Sequence, residues 1–157
     1  MPKLITTLPL EAANTIIETA LAASIAHNMA PLTVAVLDAG GHLVALQRSD
    51  GSGNMRPQIA IGKAYAALGV ERPSRVLEVS LAERQGFQTG LAVAGQGKYI
   101  PAAGGVLVCA DDGETIIGAV GISGDTSDKD EYCAIEGIKA AGLVSVPPEP
   151  AAGWEQN

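Results

Sequence analysis

The stretch from Gly97 to Glu136 restricts the fold most, because it alternates short apolar runs with glycine and aspartate turns. Its first apolar run, Val106–Ala110, predicts a buried strand, and Thr115–Ile122 predicts a second one. The sequence Asp111-Asp112-Gly113 separates them, and aspartate and glycine accept the positive φ angles that tight hairpin turns need. The stretch therefore predicts a β-hairpin.

A glycine-rich corner follows this hairpin and leads into a helix. Gly118 and Gly121 within the second strand indicate a bulge, or the close approach of another backbone or a ligand. After the corner at residues 123–126, the sequence predicts a helix from Ser127 to Ala141. Its first turn is rich in acidic residues, which the helix dipole favours at that end.

The N-terminal third predicts a helix and a second hairpin. Apolar and small residues at helical spacing predict a helix from Leu8 to Asn28. The aliphatic run Leu32–Asp38 and the segment His42–Ser49 predict paired strands, because the Ala39-Gly40-Gly41 turn lies between them.

The middle of the chain predicts further helices, and its end predicts an extended tail. We expect helices at Gln58–Leu68 and Arg75–Arg84, with Ile59 and Ile61 among the buried residues of the first. The glycine-rich segment 86–97 fits either a loop or a frayed helix. We expect one domain over residues 1–143 and a Pro-rich extended tail over residues 144–157.

The order of these elements predicts the architecture. Two hairpins without βαβ spacing favour an antiparallel sheet of about five strands, and the helices between and around them must cover it. The fold class is therefore α/β in the broad sense (α+β), built as an α-β-α sandwich. A length of 157 residues suits one such domain.

Composition excludes several classes of function. The net charge of −7 and the lack of a basic run disfavour nucleic-acid binding. No apolar run is long enough to span a membrane and no signal peptide is evident, so we expect a cytoplasmic protein with no membrane partner. Two histidines and two cysteines at these positions give no metal-ligand spacing.

A local basic pocket for an anionic small molecule remains compatible with this composition. Arg48 or Lys63 could supply positive charge, and backbone N–H groups at the helix N-terminus after Gly121 could hold a carboxylate or phosphate. The predicted ligand-binding set is Arg48, Asp50, Lys63, Gly104, Gly105, Gly121, Ser123 and Gly124. The competing interpretation is structural, with an Arg48–Asp50 ion pair that fixes the hairpin and a lysine that only extends to solvent.

The same residues allow an enzyme. Lys63 or Asp130 could act as a general base, and Arg48 could hold the carboxylate of a small acid or hydroxyacid for a lyase or isomerase.

Four segments carry a family resemblance: VAVLDAGGHLVALQRSDG, IAIGKAYAA, PAAGGVLV and IIGAVGISGDTSDKDEYCA. Over residues 8–143 the chain resembles the GlcG/HbpS family, also called DUF336 or haem-degrading-domain proteins, which includes the C-terminal domain of PduO-type corrinoid adenosyltransferases. The resemblance implies a sheet flanked by helices, similar to profilin-like and Roadblock-like domains. It also implies a homo-oligomer, often an octamer, and a small-molecule ligand such as haem.

Haem would require an axial ligand. The two histidines, His27 and His42, are the first candidates, although histidines at such positions are more often plain helix-end or surface residues. The other candidates are Met29, Met55, Tyr65, Tyr99, Cys109 and Tyr132. The leading hypothesis is a small-molecule binding protein of the GlcG/HbpS type, for which haem or another tetrapyrrole is one candidate ligand. The alternatives are the enzyme above and an assembly module without a ligand.

Overall fold

The structure is a computed structural model that describes all 157 residues. Its elements are α1 (Leu10–Ala26), β1 (Thr33–Asp38), β2 (Leu43–Arg48), α2 (Arg56–Gly69), α3 (Ser74–Ser80), α4 (Gln85–Ala94), β3 (Gly105–Cys109), β4 (Ile116–Ser123), α5 (Ser127–Ala140), β5 (Val144–Val146) and a final 3₁₀ turn (Trp154–Gln156).

The five strands form one sheet in the order β2-β1-β4-β3-β5, and every neighbouring pair is antiparallel. Both predicted hairpins are present, as β1–β2 and β3–β4. The two hairpins join through β1 and β4, where Thr33 pairs with Ser123. The predicted antiparallel sheet of about five strands is therefore confirmed.

Helices cover both faces of the sheet, as the sandwich prediction requires. On one face, α1 and α5 bury a layer of β-branched side chains against the valines of β1, β3 and β4. On the other face α2 packs against Leu37, Leu107 and Ala119 through Ala64 and Ala67. None of the helices combines the length and the apolar character needed to cross a lipid bilayer.

The sheet and α2 touch backbone to backbone. A Cβ at Gly121 would overlap the carbonyl oxygen of Ala60, and a Cβ at Gly105 would overlap the carbonyl oxygen of Lys63. The expected close approach at Gly121 is thus made by a helix. The buried face of α2 consists of alanine, glycine and Lys63, and Ile59 and Ile61, which the helical spacing made available for burial, are only partly buried.

Two segments differ from their predicted boundaries. The glycine-rich segment 86–97 mostly forms the helix α4, which has no fully buried residue and contains Gly86 and Gly90, and glycine disfavours a helix interior. The helix predicted to reach Arg84 already ends at Ser80.

The C-terminal segment begins as the edge strand β5, which pairs with β3. The chain then crosses α5, where the Trp154 ring stacks on Tyr132 at a centroid distance of 3.6 Å.

Candidate functional site

The first group of predicted site residues forms a sealed ion pair. Lys63 Nζ on α2 lies 2.9 Å from Asp130 Oδ2 on α5, and the two side chains are only 4% and 1% exposed. The other Asp130 oxygen accepts a hydrogen bond from the Asp125 amide at 3.1 Å. Burial raises the pKa of Asp130, and the neighbouring Lys63 opposes that rise. We call these two residues the buried pair.

Glycine closes the space around the buried pair. Gly104 has a φ of +114°, and a Cβ there would lie 2.9 Å from Lys63 Nζ and 3.0 Å from the carbonyl oxygen of Ile122. Gly105 lies directly beneath the Lys63 carbonyl. Three members of the predicted ligand set, Lys63, Gly104 and Gly105, therefore meet, but they enclose one another and leave no cavity between them.

The second group lies across the end of the sheet. Thr33 is the paired residue of Arg48 on β2 and of Ser123 on β4, so these three side chains share one face. Arg56 at the start of α2 donates to Ser123 Oγ at 3.0 Å, and Ser52 Oγ lies 2.9 Å from Thr33 Oγ1. We call these five residues the polar row.

Of the other predicted ligand residues, Arg48 belongs to this row, and Asp50 and Gly124 are close to its members in the chain. Arg48 makes one long hydrogen bond, from Nη1 to the Ser52 carbonyl at 3.4 Å, and Asp50 is exposed and makes no ion pair with it. Gly124 packs tightly against the Pro31–Leu32 backbone. The alternative interpretation of Arg48 and Asp50 as a structural ion pair is therefore wrong.

A mostly apolar concavity lies elsewhere, between α2 and α4. This cleft has a volume of about 230 Å³. Its lining is mostly apolar and consists of Tyr65, Ala66, Gly69, Val70, Leu91, Ala94, Gly95, Lys98 and Tyr99. We call it the tyrosine cleft.

The polar groups of the tyrosine cleft are few and distinctive. Tyr99 is 9% exposed, and its buried hydroxyl has no hydrogen-bond partner. Burial raises the pKa of this phenol. Lys98 is exposed, and its Nζ lies 5.4 Å from the centroid of the Tyr65 ring. The sequence analysis named both tyrosines as possible haem ligands but missed Lys98. No motif surrounds Lys98, and the segment before it fitted either a loop or a helix.

The two histidines lie outside the cleft. His27 Nε2 is 3.2 Å from the Tyr132 hydroxyl, and its ring meets Trp154 edge-on at 5.1 Å between centroids. His42 has a largely exposed side chain whose Nδ1 lies 3.3 Å from Asp38. The structure brings no three His, Cys, Asp or Glu side chains together in a group that could hold a metal ion.

Comparisons of the sequence and of the fold with known proteins assign this chain to a family. A family model described as "Haem degrading protein HbpS-like" matches residues 8–139. The chain belongs to the HbpS-like family. A curated relative of this HbpS-like chain is an uncharacterized 15.0 kDa protein from the dhaT-dhaS intergenic region of Citrobacter freundii. It is 30% identical over 131 residues, which cover 83% of this chain and 89% of the relative.

Solved structures agree with the HbpS-like assignment. The Klebsiella pneumoniae protein ORFY of family DUF336 is 25% identical, with a TM-score of 0.78 over 90% of this chain and 94% of its own. HbpS is 27% identical, with a TM-score of 0.73 over 88% and 92%. PduOC, solved as a complex with haem, is 23% identical and shares the fold, with a TM-score of 0.75 over 87% and 96%. The predicted family and fold class are confirmed.

Proposed function

We propose that this HbpS-like protein binds a tetrapyrrole such as haem in the tyrosine cleft. The observation that carries the proposal is the buried Tyr99 hydroxyl, which lines the cleft and has no hydrogen-bond partner. A buried hydroxyl without a partner is costly, and native proteins rarely keep one without a reason. A tyrosine oxygen is also one of the established axial ligands of haem iron.

The rest of the cleft suits an amphipathic planar ligand. Its apolar lining from α2 and α4 can cover a macrocycle face, and Tyr65 offers an aromatic surface. Its volume of about 230 Å³ is below the ~300–1,000 Å³ of typical small-molecule pockets. The ligand would therefore insert by one edge and leave another edge in solvent.

The exposed edge has a charge partner at the rim. Lys98 is exposed beside Tyr65, and an ammonium group at that position can pair with a propionate of the tetrapyrrole. We assign the axial role to Tyr99 rather than to His27 or His42, because neither histidine lines the cleft.

A hemin titration tests this proposal. We expect the wild-type protein to give a saturable change in the Soret band, and Tyr99→Phe to weaken binding at least about tenfold, because it keeps the ring and removes only the oxygen. His42→Ala is the matched control and should bind like the wild type. No Soret change with wild-type protein would contradict tetrapyrrole binding. Unchanged binding by Tyr99→Phe, with loss in His27→Ala or His42→Ala, would contradict the tyrosine assignment alone.

We also propose that the protein is a homo-oligomer, an octamer being the form that the family resemblance favours. Large apolar side chains lie exposed on α3 and α4, including Val79, Phe87 and Val93. Apolar surface of this kind is typical of interfaces. Light scattering measures the mass directly, and a monomeric mass would contradict the proposal.

Catalysis on a small carboxylate is the second candidate function. Its candidate general base is Asp130, but this side chain is sealed against Lys63 with 1% exposure, so a substrate could reach it only by displacing Lys63. A general base in this role would exchange the Cα proton of a small hydroxyacid for deuterium in D₂O, which NMR detects. We expect Asp130→Asn to abolish that exchange; exchange that persists in the folded variant would exclude Asp130 as the base.

A further inference from the structure

We propose that the polar row, formed by Thr33, Arg48, Ser52, Arg56 and Ser123, binds a small oxyanion at a site separate from the tyrosine cleft. The ligand class is a compact carboxylate or phosphate dianion. This inference does not depend on the proposed tetrapyrrole function, because the two sites share no residue.

The register of the sheet brings the row together. Arg48, Thr33 and Ser123 are paired residues on three adjacent strands, so they lie side by side on one face. Neighbouring strands are about 4.8 Å apart, which places the Arg48 and Ser123 backbones roughly 10 Å from each other. Ser52 and Arg56, from the loop and the first turn of α2, contact this line of residues.

Both arginines retain unused donor groups. Neither guanidinium has a carboxylate oxygen within 4 Å, whereas Arg75 on α3 pairs with Glu131. Arg56 makes one side-chain hydrogen bond, to Ser123, and Arg48 makes one long one, to the Ser52 carbonyl. Each guanidinium carries five N–H donors, so most of them are free for a ligand.

The neighbouring acids are already committed or exposed. Asp130 pairs with Lys63, and Asp125 accepts bonds from the amides of Ala30 and Thr126. Asp50, between Arg48 and Ser52 in the chain, is exposed and forms no ion pair. In a protein with a net charge of −7, two arginines that form no ion pair make a local concentration of positive charge, which Asp130 offsets in part because its charge interacts with that of Arg56.

The start of α2 adds to this charge. Its first turn contains no acidic residue, and no side chain caps it. The partial positive charge of a helix N-terminus favours anions, and the arginine fork matches the geometry of carboxylate and phosphate oxygens. Ser123 and Ser52 are buried, and the Ser123 hydroxyl accepts a hydrogen bond from Arg56 and so holds that guanidinium in place.

The test is a calorimetric titration with inorganic phosphate and, separately, with malonate, at constant ionic strength. We expect one saturable site for at least one of the two anions. Arg48→Gln and Arg56→Gln should each weaken binding at least about tenfold, because a charge-assisted hydrogen bond is lost. Arg72→Gln is the matched control, because Arg72 is exposed and outside the row.

The outcomes separate the alternatives. Tighter binding of phosphate or of malonate identifies the ligand class, and either supports the site. No saturable binding of either anion, or equal losses in Arg72→Gln, would overturn the proposal. Arg56→Lys keeps the charge without the fork and should bind with an intermediate affinity, which protects the test if Arg56→Gln is poorly folded. Hemin binding should be unchanged in Arg48→Gln, so failure of one site leaves the other to be judged independently.

Discussion

The buried pair and the tyrosine cleft both include residues of α2, but they differ in exposure, in polarity and in whether their polar groups have partners. The pair places an amino group and a carboxyl group 2.9 Å apart with less than 5% exposure, and each is the other's ion-pair partner. The cleft is open and mostly apolar, and it keeps a buried hydroxyl that nothing in the protein satisfies.

This contrast shows that glycines beside charged residues in a sequence do not by themselves indicate a ligand-binding site. Gly104, Gly105 and Gly121 bring backbones so close together that the charged residues beside them have no room for a ligand. Room for a ligand remains in the tyrosine cleft, where the packing is looser and the Tyr99 hydroxyl has no hydrogen-bond partner. A buried, mutually satisfied ion pair is thus better evidence of structure than of a binding site.

The largest effect should come from breaking the buried pair. Lys63→Met removes the ammonium group and leaves Asp130 buried without its partner, so we expect a loss of about 3–5 kcal/mol in the free energy of unfolding. Urea denaturation measures this. Lys98→Met is the matched control at the exposed rim of the cleft, and it should change stability by no more than about 0.5 kcal/mol.

The double variant Lys63→Met/Asp130→Leu sharpens the same comparison. Replacing both charges by apolar groups should restore most of the stability, because no unpaired charge remains. If Lys63→Met alone were as stable as the wild type, the pair would contribute no more than a surface lysine.

Glycine substitutions should separate the two regions next. Gly121→Ala places a Cβ on the Ala60 carbonyl and must push α2 off the sheet, so we expect a loss of about 1–3 kcal/mol. Gly90→Ala lies on α4 beside the cleft, where a Cβ meets nothing within 4 Å. It should gain about 0.5–1 kcal/mol from the better helix propensity of alanine. Thermal or urea unfolding of both variants checks the opposite signs, and a shared sign would contradict the difference in packing.

Glu131 is a third buried ionisable residue, and it tests whether burial changes the pKa of a carboxyl group despite a nearby positive charge. Burial raises the pKa of Glu131 from 4.5 to about 7, although Arg75, 2.9 Å away, and the Ala151 amide oppose the rise. The folded protein therefore binds this proton more tightly than the unfolded chain does. The contribution of the Glu131 carboxyl group to the free energy of unfolding is fully present below about pH 4.5 and is lost as the pH rises to about 7.

Glu131→Gln should accordingly flatten the dependence of stability on pH in that window. The wild type should lose stability relative to this variant by at most about 1.4 kcal/mol per pH unit. Urea denaturation of both proteins between pH 4.5 and 7.5 gives the difference, in which the other titrating groups cancel. A constant difference across this range would show that the Glu131 carboxyl titrates alike in the folded and unfolded states.

Most of the fold could be predicted from local sequence signals. Apolar periodicity and the turn chemistry of Asp111-Asp112-Gly113 located the hairpins, and both are in the structure. The exposed helix α4 was harder to predict, because none of its residues is fully buried and its two glycines, Gly86 and Gly90, disfavour a helix. Val144–Val146 forms a strand only through its pairing with β3. A segment of three residues before a Pro-rich run carries no local signal of such a pairing.

The site was harder to predict than the fold for the same reason. Sequence could show that Lys63 and Asp130 are unusual, but only the packing shows that they neutralise each other. Tyr99 lies in no motif, and its importance comes from the absence of a partner, which is a property of the whole surrounding structure.

The smallest expected effect on stability belongs to Tyr99→Phe. Because the hydroxyl has no partner, removing it sacrifices no hydrogen bond and ends the cost of burying a polar group, so stability should rise or stay within about 1 kcal/mol. Urea denaturation should show this while hemin binding falls. A loss of more than about 1 kcal/mol would mean that the hydroxyl is satisfied in the folded protein, and the cleft would then resemble the buried pair as a purely structural arrangement.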